Sequence, residues 1–139
     1  KMGGTIRTFR RETRAYIEKR LNELCKGIAD AHGAEIKIEF DLVNKYPPTI
    51  NSKEETKFAA NVAKDLVGDD KVITDIDPSM GGEDFSYLLE KKPGSYLYLG
   101  QGDKEHSAHL HTTKYDFNDN LLPIGVNFWV NLVNKYFSK

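Results

Sequence analysis

Apolar residues recur along this chain with two different periods. Between Glu12 and Ala31, the positions Ile17, Leu21, Leu24, Cys25 and Ile28 return every three or four residues with charges between them, which predicts an amphipathic helix that Gly33 is placed to end. Phe58, Ala59, Val62, Ala63, Leu66 and Val67 repeat in the same way. They follow Ser52-Lys53-Glu54-Glu55, which has the Ser-x-x-Glu form of a capping box, and Gly68 closes the run. A last helix opens at Pro123, a residue suited to a first turn, and its Ile124, Phe128, Trp129, Leu132, Val133 and Tyr136 are expected to pack inward.

Elsewhere the period is two. Residues 3–10 read as a strand with Thr5, Arg7 and Phe9 on one side, and Ile36, Ile38, Phe40 and Leu42 alternate with Glu35, Lys37, Glu39 and Asp41. Val72 to Ile76 and Ser95 to Leu99 are further short strands, the latter with tyrosines at alternating positions 96 and 98. Between them, Pro78-Ser79-Met80-Gly81-Gly82 is a loop, after which Glu83 and Asp84 start a short helix through Leu89. The order strand, helix, strand at the start of the chain is half of a ferredoxin-like unit. Tyr46-Pro47-Pro48 marks the boundary, since consecutive prolines favour an extended connector and exclude helix. Residues 1–45 and 46–139 are therefore expected to be two parts of an α/β chain.

Composition narrows the partners. With 20 basic and 21 acidic residues dispersed along 139 positions, the net charge is -1, and no field favours nucleic acid or an anionic membrane. No apolar run approaches the roughly 20 residues of a membrane-spanning helix. Cys25 is the single cysteine and forms no intrachain disulfide, so a reduced, cytoplasmic setting is the simpler expectation and a structural thiol its simpler role.

The chemistry gathers late in the chain. Three of the four histidines, His106, His109 and His111, fall within six residues of a polar loop, and neutral imidazole is a common ligand for borderline metals. A self-contained zinc site from these three is one reading, although so short a loop strains tetrahedral geometry; solvated loop histidines are the other.

Leu110-His111-Thr112-Thr113-Lys114-Tyr115-Asp116-Phe117-Asn118-Asp119, followed by Leu122-Pro123-Ile124-Gly125, resembles the C-terminal signature of the metal-dependent amidohydrolases related to N-acyl-amino-acid amidohydrolase, hippurate hydrolase and the auxin-conjugate hydrolases. Gly4-Thr5-Ile6-Arg7-Thr8-Phe9 is similar to that family's lid-domain strand, and Met80-Gly81-Gly82-Glu83-Asp84-Phe85 to its loop beside the active site. The resemblance covers about the last third of such an enzyme. It implies a partial ferredoxin-like lid, here the C-terminal half of a lid and dimerisation domain over residues 1–45, joined to the C-terminal part of a zinc-aminopeptidase-like αβα catalytic domain over 46–139.

The resemblance also implies roles. His111 occupies the family's metal-ligand position, with His109 the rival two residues earlier; Arg7 would hold a substrate carboxylate unless it is a solvated strand arginine; Glu83 and Asp84 would line the substrate cleft. Asn51 falls where the family has a polar residue at the return to the catalytic domain, and a turn or capping role is the simpler one for it. Thr113 stands where the family commonly has proline, which loosens the loop without removing a ligand. The implied cofactor is a divalent metal, two ions of zinc, manganese, cobalt or nickel, that polarise the amide of an N-acyl amino acid and activate a water. The family's remaining ligands and its glutamate base have no counterpart in this sequence, so this polypeptide alone is expected to be inactive and to associate with the rest of the parent or with a second copy. A non-catalytic interaction piece is the competing reading.

Overall fold

The computed structural model describes residues 1–41 and 46–138. Leu42, the last position of the alternating run, and Lys45, the last residue before the expected boundary, lie outside the described residues. Two units divide the chain: Lys1–Ile50 with Asp77–Pro93, and Asn51–Ile76 with Gly94–Lys139.

In the first unit the dominant element is α1 (Arg11–His32). Gly33 ends it in the left-handed region at φ 57°, where the missing Cβ removes the penalty, and the Ala34 N–H bonds back to the Ala29 carbonyl at 3.0 Å. Arg14–Glu18 and Lys26–Asp30 pair across one turn at 3.1 and 2.9 Å, each worth a few tenths of a kcal/mol. The covered stripe is Ile17, Leu21, Cys25 and Ala29, of which Ala29 is buried and the others half-buried. Leu24 and Ile28, expected on the same face, lie one row over and remain exposed. A short helix, α2 (Phe85–Leu89), follows the glycine loop, and Arg11 forms an ion pair with Glu90 just beyond it.

The second unit is built on α3 (Lys53–Val67) and α4 (Leu122–Phe137), which pack together. Ala59 and Val62 of α3 are buried, the Phe58 and Tyr136 rings meet edge to face at 6.2 Å, and Lys135 pairs with Asp65. Gly68 follows α3 at φ 95°, a backbone that residues with a Cβ rarely adopt. Pro123 sits in the first turn of α4 as its fixed φ favours. Ile124, Phe128 and Leu132 are half-buried, whereas Trp129, Val133 and Tyr136 are exposed rather than inward.

The expected α/β architecture is not found. Among the described residues there is no β-strand, neither in the strand–helix–strand lid read over 3–10 and 34–42 nor in the runs 72–76 and 95–99. The physical reason is that alternation specifies a face, but a strand exists only when its N–H and C=O groups meet those of a neighbouring strand, and no two of these runs pair. Ser95 to Leu99 shows what takes the place of a ladder. Its neighbour is a side chain: Asn51 accepts from the Tyr96 N–H at 2.7 Å and donates to the Tyr96 carbonyl at 2.9 Å, imitating one residue of a strand partner and no more.

The capping box differs too. Ser52 precedes α3 as expected, but its hydroxyl accepts from the Gly94 N–H at 3.1 Å instead of closing on its own helix, while its N–H donates to the Gly94 carbonyl at 2.9 Å. Thr56 and Ser95 hydroxyls meet at 3.0 Å alongside.

Burial in this unit predicts a contrast between identical substitutions. Val62→Ala should cost about 2 kcal/mol, removing roughly two buried methyl equivalents and leaving a void, whereas Val126→Ala, at 61 % exposure, should stay within about 0.5 kcal/mol. Urea unfolding followed by the helical signal measures both, and equal costs would contradict the packing described.

Candidate functional site

The residues singled out by sequence are distributed between the two units. Arg7, Glu83 and Asp84 belong to the first, and His106, His109 and His111 to the second.

In the first unit, the structure brings two of the three family-like motifs together. The Arg7 guanidinium donates to the Met80 carbonyl at 3.0 Å, so the segment that carries the arginine meets the glycine loop. Gly82 there faces the Tyr46 ring, where a Cβ would approach Cδ2 to 3.3 Å; the absence of a side chain admits the ring. Tyr46 in turn packs edge to face on Tyr87 of α2 at 5.9 Å. Glu83 is half-buried and its Oε1 accepts from the Phe85 N–H at 3.4 Å. Its backbone carbonyl accepts from the fully buried Ser86 hydroxyl at 2.6 Å. Asp84 immediately precedes α2 with an exposed side chain. Arg7 is exposed, so its remaining donors face solvent.

In the second unit, the histidine loop is closed at its base by Asn118. This residue is 7 % exposed, and its amide donates to the Gln101 carbonyl at 3.3 Å and to Asp103 Oδ2 at 3.2 Å, while its Oδ1 accepts from the Asn120 N–H at 3.1 Å. Gln101 extends the closure, since its Oε1 accepts from the Tyr115 hydroxyl at 3.1 Å. Asp103 Oδ1 accepts from the Glu105 and His106 N–H groups at 2.8 and 2.7 Å and lies 2.9 Å from His106 Nδ1. These bonds, the His106 backbone N–H first and its ring second, hold the Asp103 carboxyl below the usual carboxylate range.

Gln101 and Asp103 carry no role in the sequence reading, and Asn118 enters it only as part of the Leu110–Asp119 signature. Asp103-Lys104-Glu105-His106 and Asn118-Asp119-Asn120 are both patterns in which a short polar side chain caps its own backbone two or three residues on, and that signal was available.

His111 is exposed, with φ 63° in the left-handed region, uncommon for a side chain with a Cβ though less so for histidine. The turn around it is held by the Thr112 hydroxyl donating to the His109 carbonyl at 2.8 Å and the Tyr115 N–H donating to the Thr112 carbonyl at 3.2 Å. His109 is also exposed.

A zinc-like ion takes three or four protein ligands. Among the described residues no three His, Cys, Asp or Glu side chains are grouped to hold a metal, so His106, His109 and His111 do not make the self-contained site, and the donors of this chain do not complete one.

The comparisons with known proteins decide the family. The profile of Peptidase family M20/M25/M40 matches residues 4–135. The chain belongs to this family. Among its relatives, hippurate hydrolase of Campylobacter jejuni is 36 % identical over 132 residues, 95 % of this chain and 33 % of that protein. An IAA-amino acid hydrolase ILR1-like 4 of Arabidopsis thaliana is 29 % identical over 97 % of the chain and 31 % of its own length. An N-acetyldiaminopimelate deacetylase of Lactobacillus helveticus is 35 % identical over 89 % of the chain and 31 % of its own length. The chain therefore spans about a third of the curated relatives it matches. No solved structure matches it. No helix among the described residues is long and apolar enough to cross a membrane.

At position 111, glycine should be at least as stable as histidine, because it adopts positive φ freely, while His111→Val should lose about 1–2 kcal/mol; denaturant midpoints give the order, and a valine variant as stable as glycine would show that the residue is not held left-handed. For Asp103 the carboxyl is lowered in the folded chain, so its contribution is present above the ordinary value of about 3.9 and lost as pH falls through the lower folded value. Thermal unfolding on descending from about pH 6 to about pH 2 should be less steep in Asp103→Asn than in the parent, and identical slopes would contradict the assignment.

Proposed function

We propose that the chain is the C-terminal part of a metal-dependent amidohydrolase that cleaves the amide bond of N-acyl amino acids or related small conjugates. The observation that carries this reading is the family match over residues 4–135, made together with relatives named as hydrolases of hippurate and of IAA-amino acids and as a deacetylase. In this reading residues 1–45 belong to a lid and dimerisation domain and residues 46–139 to the catalytic domain.

His111 supplies one imidazole to a divalent-metal centre, of two ions, whose other ligands and whose general base lie outside this sequence. The exposed, turn-held position of His111 supports that role, since a ligand completed by other residues has to be accessible. Arg7 binds the substrate carboxylate through donors not taken by Met80, and Glu83 and Asp84 line the substrate cleft beside it. With its donors incomplete, the chain by itself does not hydrolyse amides. A lone half-buried thiol at Cys25 supports a reducing, cytoplasmic setting.

The test uses the whole protein. His111→Ala should reduce amide hydrolysis by at least about 100-fold and lower bound metal while leaving the fold intact, and His109→Ala should be milder. Loss of metal in the His109 variant with retention in the His111 variant would reverse the assignment. Arg7→Lys should raise KM for substrates with a free carboxylate more than for their amides, because an ammonium does not reproduce a two-bond contact; equal changes would make Arg7 a solvated arginine.

A further inference from the structure

The loop histidines are not equivalent. His106 is half-buried, its side chain 17 % exposed, and its Nδ1 faces Asp103 Oδ1 at 2.9 Å. An ionised carboxylate only accepts, so Nδ1 carries the proton and Nε2 is left as an acceptor. The carboxylate is itself immobilised: Oδ1 takes two backbone N–H groups, and Oδ2 takes the Asn118 amide at 3.2 Å. Asn118 is buried, and its other bonds tie it to the Gln101 carbonyl and to the turn before α4. A rigid element thus orients an amide, the amide a carboxylate, and the carboxylate an imidazole.

We propose that Asp103 and Asn118 are positioning residues of the histidine loop: Asn118 aims the Asp103 carboxylate, and the carboxylate fixes His106 as the Nδ1–H tautomer with a bare Nε2. A carboxylate behind an imidazole sets its tautomer and orientation. The bare nitrogen is thereby left able to accept from an N–H or O–H donor. The value of this device to catalysis rests on the loop belonging to the metal centre, but the tautomer does not depend on metal.

Long-range proton–nitrogen correlation of the imidazole rings in the 139-residue chain, with the pH raised until the ring spectra stop changing, reads the tautomer of each of the four histidines. His106 should favour Nδ1–H by at least about tenfold, with His32 as the internal reference showing no such preference. Asp103→Ala should abolish the preference. Asn118→Asp retains the acceptor for Asn120 but sets a second carboxylate beside Asp103, and should reduce the preference severalfold with the helical signal unchanged. Tyr115→Phe, which removes only the far bond to Gln101, should leave it as in the parent. The proposal is overturned if His106 in the unaltered chain matches His32, a result needing no variant to fold, or if a folded Asn118→Asp chain keeps the full preference. A correct tautomer in a protein whose His111 binds no metal would instead remove the metal-centre reading alone.

Discussion

A buried polar side chain must find partners for all of its hydrogen-bonding atoms, and Asn118 meets that constraint with the two ends of the histidine loop. Its amide reaches back to Gln101 and Asp103 while its carbonyl oxygen receives Asn120, so residues that flank the loop are joined through one side chain. Leaving a buried donor unmade costs about 1–3 kcal/mol, which exceeds what any single exposed contact in the loop supplies. The closure of the loop therefore follows from Asn118, and with it, through Asp103, the direction of His106.

Asn51 solves a similar problem for Tyr96, accepting from its N–H and donating to its carbonyl. In the second unit, then, Asn51 and Asn118 hold connecting segments through their amides, and apolar burial is deepest on α3, at Ala59 and Val62. This division suits a chain whose candidate chemistry is carried on loops: the helices supply a scaffold, and polar bonds with strict geometry set the loop positions.

Much of the helical content was legible in the sequence. The 3.6-residue period, Gly33, Gly68 and Pro123 placed α1, α3 and α4 and their ends, because those signals act within a few residues of chain. Strand identity was not legible, since alternation at Ile36, Ile38 and Phe40 reports a preference whose fulfilment depends on a partner elsewhere. The face of α4 was read only in part for the same reason: Phe128 and Leu132 are covered, but what covers Trp129 and Val133 is not a property of their spacing. For the site, the wording around His111 led to the family, whereas the central place of Asn118 comes from bonds spanning 15 to 17 residues, and the left-handed backbone at His111 goes with a local turn that no spacing signal marks.

The loop carrying the candidate ligand is ordered by its own polar network. Amide hydrogen exchange of the chain without added metal reads that order residue by residue. The Glu105, His106, Asn120 and Leu121 amides, which donate to Asp103 or Asn118, should exchange at least about tenfold more slowly than those of His109 and Leu110. Exchange of all six at one unprotected rate would mean that the polar network does not order the loop.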